Sequence, residues 1–80
     1  MPTILRYIRY KGYRFYFCSH EPNEPPHIHV DKDNLSAKFW LSPVFLARNI
    51  RFLGKELRKI QAMVESNKIM FLEAWNEYFS

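Results

Sequence analysis

Eighty residues with a formal net charge of +4 leave room for one small domain, expected over residues 1–80, that buries only about 60 to 65% of the surface its unfolded chain exposes. The core must therefore be dense, and it can be, because 48% of the residues are apolar, seven Phe, five Tyr and two Trp among them. A single cysteine, Cys18, excludes an internal disulfide framework, no apolar run approaches the roughly 20 residues that span a bilayer, and no secretory segment opens the chain, so a cytoplasmic protein is expected.

From Ile4 to Ser19 the pattern is aromatic and β-branched, with Tyr13, Phe15 and Phe17 alternating against Arg14, Tyr16 and Cys18. That period of two predicts strand. Gly12 tolerates positive φ, so Leu5 to Tyr10 and Tyr13 to Cys18 read as a hairpin turning at Lys11-Gly12. Residues 20–26, His-Glu-Pro-Asn-Glu-Pro-Pro, form neither ladder nor helix, because three prolines remove donors and bias their predecessors to extended geometry. Alternation resumes over His27 to Asp31, turns at Lys32-Asp33-Asn34, and returns over Ser36 to Leu41, a second hairpin.

Ser42-Pro43 is compatible with a helix start or with a strand through Val44 to Arg48, and the residues do not decide between them. From Lys55 the period changes. Leu57, Ile60 and Val64 share one helical face, with Leu53 just before them. Ser66-Asn67-Lys68 interrupts that stripe, and Asn67 is suited to cap a following helix with Phe71, Leu72, Trp75, Tyr78 and Phe79 spaced three and four apart. Two helices, or one kinked at Asn67, are expected. The fold class that follows is α+β: a small antiparallel sheet of about four strands, in two hairpins, packed against one or two C-terminal helices. Leu57, Ile60, Val64, Leu72 and Trp75 are its expected helical core.

Charge is unevenly spread. Residues 1–18 carry Arg6, Arg9, Lys11 and Arg14 with no acid, residues 19–34 hold Glu21, Glu24, Asp31 and Asp33 against Lys32, and Lys38, Arg48, Arg51, Lys55, Arg58 and Lys59 follow against Glu56. Two basic regions flanking an acidic loop would attract a polyanion, although such charge also serves solubility alone.

The sharpest local signal is Glu24-Pro25-Pro26-His27-Ile28-His29-Val30. In a strand, His27 and His29 point to one side with Cα atoms about 6.7 Å apart, and Ile28 and Val30 point to the other. If Ile28 and Val30 enter the core with Phe39 and Leu41, the opposite face collects both imidazoles with Lys38, Trp40, Arg14 and Tyr16. Such a face suits RNA, since rings stack on bases, cations hold phosphates and imidazoles move protons. His27 and His29 are therefore candidate catalytic residues for cleavage by the 2′-hydroxyl, and Arg14, Tyr16, Lys38, Trp40 and Arg48 candidate substrate-binding residues. The competing reading is structural: the rings hydrogen-bond the acidic loop. Cys18 and His20 could join His27 and His29 around zinc, but Cys-x-His and His-x-His are not the spacings of familiar zinc modules, so neither a metal nor another cofactor is expected.

Several stretches together resemble a known pattern. Met1-Pro2-Thr3-Ile4-Leu5-Arg6, Gly12-Tyr13-Arg14-Phe15, the Glu-Pro-Pro-His-x-His-Val run, Ala37-Lys38-Phe39-Trp40-Leu41, Pro43, Leu46-Ala47-Arg48-Asn49, Glu56-Leu57 and Glu73-Ala74-Trp75-Asn76-Glu77-Tyr78-Phe79 are similar to the prokaryotic domain-of-unknown-function family 4160. The chain departs from that pattern in a longer Arg6 to Lys11 stretch, in Leu53-Gly54 where a Ser-type helix cap is usual, and in having Cys18 and His20. The resemblance carries no catalytic residues with it. It implies a component of a bacterial toxin–antitoxin module beside a second small protein. Joined to the sheet face around His27, His29, Lys38 and Arg48, it makes the toxin rather than the antitoxin the leading expectation, acting on or binding RNA and partnered by a small antitoxin-like protein. A noncatalytic module that docks an acidic partner protein is the alternative.

Overall fold

The computed structural model describes residues 4–18 and 23–79, with side chains from residue 8 onward. Five strands, β1 (Ile4–Tyr10), β2 (Tyr13–Cys18), β3 (His27–Lys32), β4 (Leu35–Leu41) and β5 (Val44–Ile50), precede two helices, α1 (Gly54–Ser66) and α2 (Lys68–Phe79). The strands lie in one antiparallel sheet in the order β1-β2-β3-β4-β5. The expectation of about four strands is corrected to five, because the chain doubles back at Ser42-Pro43 and Val44 pairs with Leu41 to begin a further strand. Residues 44–50 are therefore strand, not helix.

Local chemistry explains the turns. Lys11 and Gly12 both take positive φ, 52° and 85°, the geometry of a two-residue hairpin whose twist matches its strands. Asp33, at φ 55°, does the same for the β3–β4 turn, and aspartate tolerates that region better than most residues. Alternation then sorts the faces: Tyr13, Phe15 and Phe17 of β2, and Ala37, Phe39 and Leu41 of β4, are buried, while their neighbours are half-buried.

The helices close this inner face. Ile60 and Val64 of α1, and Phe71, Ala74 and Trp75 of α2, join Phe52 in one core. The Phe15 and Phe71 ring centroids lie 5.5 Å apart, and Trp75 packs edge-on to Phe17 at 5.8 Å and against Phe79 at 4.1 Å. Each buried Phe contributes about 1.5 to 3 kcal/mol of transfer free energy, which is how so short a chain offsets its ordering entropy. Leu57 and Leu72, expected to be buried, are only partly so, and Leu53 stands 76% exposed. Leu53 precedes the helix in extended geometry, outside the stripe, and makes no side-chain cap. Asn67 closes α1 rather than opening α2 with its side chain: its amide donates to the Met63 carbonyl at 2.8 Å, and its own carbonyl accepts from Phe71 N.

Two side-chain hydrogen bonds to Glu56 tie α1 to the sheet. The Tyr13 hydroxyl donates to Glu56 Oε2 at 2.6 Å, and Lys32 Nζ donates to the same oxygen at 3.3 Å. Burial, then the hydrogen bond to the Glu56 carboxylate and its charge, push the Tyr13 hydroxyl up to about 12. The same hydroxyl, helped by Lys32, holds the Glu56 carboxyl below its usual value.

Candidate functional site

The sheet register assembles the expected face. Arg14 pairs with Asp31 and Tyr16 with His29 across β2–β3; His29 pairs with Lys38 and His27 with Trp40 across β3–β4; Lys38 pairs with Arg48 across β4–β5. All seven residues singled out by their chemistry thus lie on the face opposite Ile28, Val30 and Phe39.

Solvent access is where the face departs from expectation. His27 is fully buried and His29 is 8% exposed, so the accessible imidazole pair is corrected to a buried one. The reason is position: β3 is the central strand, and its outer side chains are covered by those of β2 and β4. Tyr16 stacks on His29 with centroids 5.2 Å apart. Trp40 stands edge-on to His27 at 5.8 Å, and His29 does so at 5.3 Å. Trp75 of α2 reaches the same ring at 4.8 Å, so the helix closes the end of the sheet where His27 begins its strand. His27 Nδ1 donates to the Pro25 carbonyl at 2.9 Å; since a carbonyl only accepts, that nitrogen carries the proton. The loop holding this acceptor is itself tied down, because Leu41 N donates to the Pro26 carbonyl at 3.0 Å.

The polar groups around the histidines are engaged with one another. Lys38 forms an ion pair with Glu24, whose Oε1 also lies 3.9 Å from His27 Nδ1. Tyr16 donates its hydroxyl to Asp31 at 3.1 Å. Lys38 Nζ sits 4.8 Å from the centroid of the Trp40 ring. Glu24 and Asp31 are thus the members of this cluster that residue-type reasoning passed over. The signal was present: Asp31 continues the period of two from His27 and His29, and Glu24 stands at the head of the Pro-Pro run.

Arg14 and Arg48 lie at the margins. Arg14 Nη2 donates to the Asp33 carbonyl at 3.3 Å, and Arg48 is exposed. Arg14 also borders a depression of about 460 Å³ at the tip of the first hairpin, with Arg9, Tyr10 and Lys11, and Asp33 as its acid. Lys11 Nζ lies 5.3 Å from the Tyr10 ring centroid, and Tyr10 is 42% exposed. Among the described residues no carboxylate pairs with Arg9, Lys11 or Arg14. The clustering of cations before Cys18 was the sequence signal for this second site.

Among the described residues, no three His, Cys, Asp or Glu side chains gather to hold a metal ion; His20 lies outside the described residues. Nor is any helix among them long and apolar enough to cross a membrane. A family model described as a domain of unknown function, DUF4160, matches residues 12–76, so the chain belongs to that family. No curated protein and no solved structure matches.

Proposed function

We propose that this member of the DUF4160 family binds single-stranded RNA at the tip of its first hairpin, as the toxin component of a bacterial toxin–antitoxin module, and does not cleave RNA with His27 and His29. The observation that carries the reading is the grouping of Arg9, Lys11 and Arg14 with the exposed Tyr10 ring around one open depression of about 460 Å³. Three cations there attract phosphates, and an exposed ring beside an ammonium group offers a base a stacking surface next to its own phosphate. The histidine face supports the role less well, because Glu24 already neutralises Lys38 and a buried His27 is out of reach of a 2′-hydroxyl. That cluster instead reads as the structural support of the central strand.

The test is fluorescence anisotropy with a labelled single-stranded RNA over a series of salt concentrations. Arg9→Ala, Lys11→Ala and Arg14→Ala are each expected to weaken binding and to flatten the log–log salt slope by about 0.7 per lost phosphate contact. Unchanged slopes in all three variants would exclude the hairpin tip. The module reading is tested by growth: induction of the native chain should arrest cells, and the triple variant should not.

A further inference from the structure

β1 forms one edge of the sheet, and every edge offers unpaired main-chain groups to a further strand. β5, at the other edge, exposes Phe45 at 49%, Leu46 at 36% and Ile50 at 45%, together with Arg48 and Arg51. The register puts Phe45 beside Trp40, and Ile50 beside Ser36, on the outer face, while Leu46 pairs with Phe39 of the inner face. The edge is therefore apolar on both sides, which is the composition of an interior strand. A bulge at Ala47, between the Lys38–Arg48 and Phe39–Leu46 pairs, separates an apolar half, Val44–Leu46, from a basic half that continues into Arg51.

We infer that β5 is a docking edge that accepts an extended, acidic segment of a partner protein as a sixth strand. Main-chain hydrogen bonds along an edge supply affinity for any extended chain, and the side chains on both faces select which one. Selection here is by charge: no Asp or Glu occurs between Asp33 and Glu56, and Lys38 is already neutralised by Glu24, so the β5 edge presents Arg48 and Arg51 unopposed in sequence. An incoming strand with an acidic residue opposite Arg48 and apolar residues opposite Phe45 and Ile50 on that outer face, and an apolar residue opposite Leu46 on the other, would pair a carboxylate with the guanidinium and cover the exposed apolar side chains, and a further acid past its end would meet Arg51. A second copy fits worse, since its own β5 would bring two more arginines to the same seam. The inference rests on the edge strand alone and is independent of the hairpin-tip reading.

The experiment is selection of random dodecapeptides displayed on phage against the full chain, followed by amide hydrogen exchange of the native chain with the selected peptides. Peptides that combine Asp or Glu with apolar residues are expected, with new protection confined to Val44–Ile50. Arg48→Glu combined with Arg51→Glu should weaken them by about tenfold or more with the melting curve unchanged, since both side chains are exposed. Recovery of basic or charge-indifferent peptides, protection elsewhere, or no selectable peptide would overturn the inference. So would protection of Val44–Ile50 in the absence of peptide that rises with protein concentration alongside a dimer in sedimentation, which would identify a second copy as the occupant.

Discussion

In a His27→Ala variant the fold, and not an activity, is expected to suffer. The native ring is fully buried and touches Trp40, His29 and Trp75, with Nδ1 bonded to the Pro25 carbonyl. Truncation leaves a cavity bounded by two indoles. Large-to-small changes at such sites cost about 2 to 5 kcal/mol, and a polar ring gives up less transfer free energy than Leu or Phe, so about 2 to 4 kcal/mol is expected. Little is added by the stranded acceptor, because Pro25 is exposed and its carbonyl can turn to water. In a domain this small each kcal/mol lowers Tm by about 4 to 8 °C, so the transition should fall by roughly 10 to 30 °C. Thermal unfolding followed by circular dichroism reads this directly. His29→Ala, which removes a buried ring that keeps 8% exposure and stacks on half-buried Tyr16, should cost less. RNA affinity measured well below both transitions should stay at the native value. A His27→Ala variant that melts like the native chain yet loses RNA binding or growth arrest would refute this reasoning and return the histidines to the reacting site.

Trp75→Ala should cost about 3 to 5 kcal/mol in chemical denaturation, a large share of the stability of an 80-residue domain, because its indole joins Phe17, His27 and Phe79. Tyr13 should titrate near 12 in tyrosinate absorbance, and the late transition should vanish in Tyr13→Phe. Since its folded value is raised above the ordinary 10.0, that tyrosine's contribution to stability is complete below pH 10.0 and lost as pH rises through about 12. Glu56 has the opposite sign. Its value is lowered from 4.5, so its contribution is present above that pH and lost on acidification, and Glu56→Gln should unfold with a shallower dependence on pH in that acid range. Leu53→Ser should raise stability by about 0.5 to 2 kcal/mol, because Leu53 occupies the N-cap of α1 with extended backbone and no side-chain bond.

Periodicity alone determined much of this protein. Alternation over Tyr13–Cys18 and His27–Leu41, the Lys11-Gly12 and Asp33-Asn34 turns, and the three-and-four spacing after Lys55 specify two hairpins and a helical C-terminal part interrupted at Asn67, because each pattern reflects which side chains one backbone geometry can bury together. The same alternation gathered Arg14, Tyr16, His27, His29, Lys38 and Trp40 on one face, and the pairing of β5 with β4 added Arg48 to it. What it could not determine was how exposed that face is. Local pattern says which way a side chain points from its own strand; whether water reaches it depends on neighbours distant in sequence. Strand order put β3 in the centre, Tyr16 and Trp40 covered its histidines, Trp75 arrived from the last helix, and Glu24 folded back onto Lys38. The fifth strand was decided in the same way. Val44–Ile50 has little alternation of its own and becomes strand because β4 offers it an edge, for a ladder of hydrogen bonds needs a partner that no single segment contains.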